Sequence, residues 1–137
     1  MTSSVLLLMI FTPMIIGLLP IVVKNTKLLN TVMVITAVAE FALCLYFLFT
    51  YSSMETQIIN ITWFAGMGIS LKITGMGILQ TVATSLIWVG SSVFSDEYFD
   101  HAPQNLRRYY AFWSVTFGAT LGMFLANDLF TMFIFFE

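Results

Sequence analysis

From Val5 to Val23 the chain is apolar at every position except Thr12, Pro13, Gly17 and Pro20. At 1.5 Å per residue that run is long enough to cross a hydrocarbon layer of about 30 Å. No basic residue precedes it, as a cleavable leader would require, and Lys24 and Lys27 follow it, so the pattern predicts a retained helix bent at Pro13 and Pro20. A second run, Leu28 to Tyr51, holds a single charge, Glu40. A third covers 73–94 and carries Gln80, Thr81, Thr84, Ser85, Ser91 and Ser92, a face too polar for lipid and suited to packing against other helices. A fourth covers 109–126, and a fifth starts at Leu129 and reaches Glu137.

Between the second and third runs the period changes. Residues Ile69 to Ile73 alternate apolar and polar side chains, the spacing of a strand, which predicts a short external hairpin. Asn60-Ile61-Thr62 matches a glycosylation triplet, but such triplets are frequent by chance and carry no weight alone. The predicted fold class is therefore an all-α integral membrane domain over 1–137, with helices at 5–23, 28–51, 73–94 and 109–126 and the start of a fifth at 129–137.

Composition sharpens this picture. The chain is 59% hydrophobic and 9% charged, whereas soluble domains carry about 25% charged residues. Too little polar surface is available to cover a water-facing globule. The net charge of −2 and five scattered basic residues exclude a nucleic-acid partner. One cysteine and one histidine exclude an internal disulfide and a Cys/His metal site. Cys44 reads as a small core hydrophobe. Gly66-Met67-Gly68 and Gly75-Met76-Gly77 begin like dinucleotide loops, but Leu71 and Gln80 stand where the third glycine belongs. No cofactor is expected.

The segment 95–108 holds much of the charge and reads as a solvated turn, with His101 an exposed loop residue or, as the sharper alternative, a pH-sensing or docking group. Lys24, Lys27, Arg107 and Arg108 fall on one side of a four-helix arrangement and Lys72 on the other. The positive-inside bias then places the loops near 24–27 and 96–108 in the cytoplasm and the N-terminus outside a cell (inner) membrane. Small residues recur every fourth position at Ser114, Gly118, Gly122 and Ala126, a stripe that lets another helix approach closely.

Two acids remain. Glu40 lies near the middle of the second helix, where a charged carboxylate costs on the order of 3 kcal/mol by insertion scales. It should be neutral, paired or beside water, either as a proton site or as a hydrogen-bonded group in a helix interface. Glu137 follows the polar break Asn127-Asp128 by nine residues, or ~13.5 Å of helix, about half the depth of the hydrocarbon layer. A chain ending there would leave its terminal carboxylate and last carbonyls at midmembrane. The expectation is that the polypeptide continues as a longer subunit, or that a second chain completes the helix.

The ending "ANDLFTMFIFFE" resembles the segment leading into the fifth helix of the antiporter-like subunits shared by respiratory complex I, Mrp-type cation/proton antiporters and membrane-bound energy-converting hydrogenases. Asp128-Leu129-Phe130 and Phe135-Phe136-Glu137 carry the likeness most specifically. "GISLKITGMGIL" resembles the strand and glycine-containing start of that family's third helix, and Arg107, Arg108, Tyr109, Tyr110 and Phe112 resemble the start of its fourth. The resemblance covers roughly 66–137. It implies proton or cation/proton translocation, with Glu137 as the fifth-helix glutamate working with a lysine on a later helix. It also implies partners among other membrane subunits, with protons or sodium ions as cargo and no redox group in this chain. Thr74 precedes Gly75 where the family often has aspartate, which argues against an outer acidic site there. The Phe-Phe-Glu ending leans toward the Mrp-like or middle complex I type. Outside the resemblance, the alternative is a small structural subunit whose acids only pack.

Overall fold

The computed structural model describes residues 2–51, 58–64, 67–100 and 105–137. Its first apolar run forms two helices. α1 (Thr2–Ile16) contains Pro13, and after a turn at Gly17 and Leu18 the short α2 (Leu19–Val22) restarts with Pro20 in its first turn. The expected single helix over 5–23 is thus broken between its two prolines. Proline lacks an N–H to continue the ladder, yet its fixed φ suits a helix start.

α3 (Thr26–Thr50) begins two residues earlier than predicted because Asn25 caps it, its side chain accepting from Lys27 N at 3.2 Å and Leu28 N at 3.4 Å. β1 (Ile58–Phe64) and β2 (Met67–Lys72) form the antiparallel hairpin, with Asn60 opposite Ser70 and a register irregularity near Thr62. α4 (Gly75–Asp100) runs six residues past the predicted end at 94, so Ser95 to Asp100 are helical and not part of a turn. Ser95 Oγ bonds the Ser91 carbonyl at 2.7 Å and the Tyr109 hydroxyl at 2.7 Å, and Phe99 lies 4.7 Å from the Tyr109 ring. These contacts hold the extra turn against the next helix. His101 lies outside the described residues.

α5 (Leu106–Phe124) starts three residues before, and ends two residues before, the predicted 109–126. α6 (Leu129–Phe136) follows a capped turn. α3 packs along α4, and α1 along α5. The core joins Leu6, Met9 and Ile10 of α1 to Cys44 and Phe47 of α3, Phe117 and Leu121 of α5, and Phe135 of α6. A smaller cluster of Leu29, Met33 and Tyr110 closes the other end. Three stretches among the described residues are long and apolar enough to cross a membrane: Ser4–Val22, Thr26–Thr50 and Gly75–Phe99.

The two ends of the bundle are tied differently. At one, Arg107 donates through Nε to the Pro20 carbonyl at 2.8 Å and through Nη2 to the Ile21 carbonyl at 2.9 Å. At the other, β2 docks onto the turn between α5 and α6: Lys72 N donates to Leu125 O at 2.8 Å, Asn127 N to Ser70 O at 2.8 Å, and Leu71 bridges Ala126. The loop lysines and arginines around 24–27 and 107–108 therefore share one end, opposite Lys72.

Candidate functional site

Glu137 is positioned by α6, and α6 by its first turn. Asp128 accepts from Thr131 N at 2.6 Å, satisfying one of the N–H groups that a helix start leaves without an internal partner. Those bonds, first from the Thr131 backbone and then from its hydroxyl, hold the Asp128 carboxyl below the usual carboxylate range. Thr131, fully buried, also offers Oγ1 to Ser70 N at 2.8 Å, and Asn127 Nδ2 donates to Ser70 Oγ at 3.0 Å. One threonine thus locks helix, turn and hairpin together.

From that anchor α6 runs to Glu137, whose N–H bonds the Phe133 carbonyl at 3.0 Å. The Glu137 side chain is exposed on the wall of a groove of about 560 Å³. Phe11 and Met14 of α1, Thr116 and Thr120 of α5, and Ile134 and Phe135 of α6 also line it. Thr120 Oγ1 is engaged by the Thr116 carbonyl at 2.7 Å, so this wall is apolar apart from two hydroxyls and the acid.

The small-residue stripe does not line the groove but sets how closely its helices approach. Ser114 Oγ donates to the Pro13 carbonyl at 2.5 Å. A Cβ on Gly118 would stand 2.5 Å from Met14 Cγ and 2.6 Å from the Ile10 carbonyl, and one on Gly122 would stand 2.6 Å from the Phe135 ring. Three members of the stripe therefore bring α5 against α1 and α6. The fourth does not: Ala126 lies beyond the end of α5, and its role is a backbone bridge to Leu71. The spacing continued, but the helix had stopped at Leu125, whose carbonyl accepts from Lys72 of β2. Gly17, in the turn after α1, joins this contact, since a Cβ there would stand 2.7 Å from Val115 Cγ2. Its partner is set by tertiary structure, and a glycine in an apolar run was the only sequence signal. Thr131 was legible in principle, as the residue three after a capping aspartate.

Glu40 sits elsewhere. It lies fourteen residues after Thr26 and ten before Thr50, only 2% exposed, in the helix that packs along α4. The structure does not bring the two acids together. No group of three or more His, Cys, Asp or Glu side chains suited to a metal occurs among the described residues.

No protein-family model matches the chain, and no curated protein matches it by sequence. Its fold is similar to that of a chain in the solved structure of the membrane-bound sulfane sulfur reductase (MBS), an archaeal respiratory membrane complex, with a TM-score of 0.75 and 21% identity over 96% of the present chain. The present chain spans 27% of that one. At this identity the likeness is one of fold.

Proposed function

We propose that the chain is a proton- or cation/proton-translocating part of a multi-subunit membrane complex, with Glu137 as its midmembrane proton carrier. The observation that carries this reading is the placement of Glu137 on the wall of a groove otherwise almost wholly apolar, at the end of a helix fixed by Asp128 and Thr131. In general a carboxylate and a movable positive charge are coupled, the charged form being favoured as the cation approaches. The fold shared with a chain of an archaeal respiratory membrane complex supports the setting.

On this reading α5 is a fourth crossing and α6 begins a fifth. Lys24, Lys27, Arg107 and Arg108 face the cytoplasm, and the hairpin lies outside. The partners are further membrane subunits, the cargo is protons or sodium ions, and the chain holds no redox group.

The test is Glu137→Gln in the intact complex. Assembly on a native gel should be unchanged, while ion movement into vesicles, followed with a pH-sensitive dye, should fall at least roughly tenfold. Unimpaired translocation by an assembled variant would sink the proposal. The tight fit at Gly118 and Gly122 also favours a second reading, an accessory subunit that only fills space. Acid-to-amide changes would then be silent, and bulky replacements at the glycines would abolish assembly.

A further inference from the structure

Glu40 presents a problem that Glu137 does not solve. Its Oε2 is buried and meets no hydrogen-bond partner among the described residues. An unmet carboxylate oxygen in a helix interface is costly and calls for a donor or a cation.

The surroundings cannot supply one. Tyr51 lies beside Gly75 at one end of the α3–α4 pair, and Asn30 beside Asp96 at the other, so the two helices run antiparallel. Cys44 faces Thr81 and Ser85 of α4. Glu40, one turn back along α3, therefore lies level with the turn of α4 that follows Ser85, with Ser92 farther along the same helix. All three hydroxyls are buried, and each has spent its hydrogen on its own helix: Thr81 on the Ile78 carbonyl at 2.8 Å, Ser85 on Val82 at 2.9 Å, Ser92 on Val89 at 2.8 Å. The Cys44 thiol is turned to the Met9 sulfur at 3.8 Å. A buried carboxylate oxygen left without a donor is an electronegative site, and its complement is a proton or a small, hard cation.

We infer that Glu40, its buried carboxyl oxygen without a partner, forms a second small-cation site on the α3–α4 seam, occupied by a proton or a sodium ion. It stands apart from the Glu137 groove and does not depend on that reading. Titratable or charged groups on or beside α3 are Lys27 in its first turn, Cys44 one turn from Glu40, Tyr46, Tyr110 bonded to Asn30, Asp96 and Glu97 near the far end of α4, and Arg107 at the same end, engaged with α2. Among the described residues none partners the buried Glu40 oxygen.

Dicyclohexylcarbodiimide tests this in the intact complex in its native membrane. The reagent adds to a protonated carboxyl in apolar surroundings: the acid proton moves to a carbodiimide nitrogen and the carboxyl oxygen bonds the central carbon. Peptide mass spectrometry should find the adduct on Glu40, in wild type and in Glu137→Gln alike, and not in Glu40→Gln. Labelling should fall about tenfold per pH unit above its midpoint if the occupant is a proton. If sodium competes for the site, labelling at fixed pH should also fall several-fold when sodium replaces choline at matched ionic strength. No adduct on Glu40 at any pH between roughly 5 and 9 would overturn the site. So would labelling indifferent to both pH and sodium, which marks a permanently neutral carboxyl that only packs.

Discussion

At the scale of single residues, substitutions separate groups that fix geometry from groups that only occupy space. Gly118 and Gly90 make a matched pair. A Cβ on Gly118 meets Met14 and the Ile10 backbone at 2.5 and 2.6 Å, whereas one on Gly90 has nothing within 4 Å. Gly118→Val should therefore cost about 1–3 kcal/mol or more by overpacking, and Gly90→Ala should stabilise α4 by about 0.5–1 kcal/mol. Thermal unfolding in detergent reads both signs. Asp128 gives a pH dependence. Its carboxyl is held below its ordinary range in the folded chain, so its capping contribution is present above the unfolded value and is lost as pH falls through the folded one. Asp128→Asn keeps a capping oxygen and should remove that acid sensitivity, read by hydrogen exchange at the Thr131 amide. Acid loosening of α6 unchanged in the variant would show that another group is responsible.

Among the elements, the hairpin governs where α6 starts. β2 bonds the α5–α6 turn through the backbones of Lys72, Ser70 and Asn127, and Thr131 completes the joint. Thr131→Val keeps the shape and removes the acceptor of the buried Ser70 N–H, which should cost about 1–3 kcal/mol. The Ser70 amide should then exchange faster while the α1–α5 contact stays protected. Equal loss of protection across the bundle would mean that the hairpin and helices unfold as one unit. The hairpin itself was legible from the alternation around Ile69 to Ile73, because period two is a local property. Its docking was not: every bond that fixes it joins residues more than fifty positions apart, such as Ser70 and Asn127.

At the scale of the molecule, charge and topology agree. Arg107 is tied to α2 at one end, and Lys72 to the α5–α6 turn at the other, so the four basic residues near 24–27 and 107–108 lie opposite the fifth. Single cysteines introduced at Lys24 and Lys72 should react with an impermeant maleimide from opposite faces of the membrane, Lys24→Cys from the cytoplasmic one. Reaction of both from the same face would refute the arrangement. Among the described residues three stretches have the length and apolarity to cross. α5 carries Arg107, Arg108 and a hydroxyl-bearing face, so its place in the bundle depends on the neighbours that cover Ser114, Gly118 and Gly122.

By itself the sequence determined the helical runs, the strand period before Ile73, the basic asymmetry and the two acids, because apolar length, side-chain alternation and charge are readable one segment at a time. Tertiary structure decided the rest. Asn25 and Pro20 set local starts, yet α4 extends past 94 because Ser95 and Phe99 meet Tyr109 of α5, and α5 stops before Ala126 because β2 bonds the carbonyl of Leu125. It also parted the acids, placing Glu137 on an α1–α5–α6 groove and burying Glu40 in α3 with an unpartnered oxygen. Depth along a helix follows from counting residues, but what a side chain faces depends on which helix packs beside it, and that is fixed only when the whole chain folds.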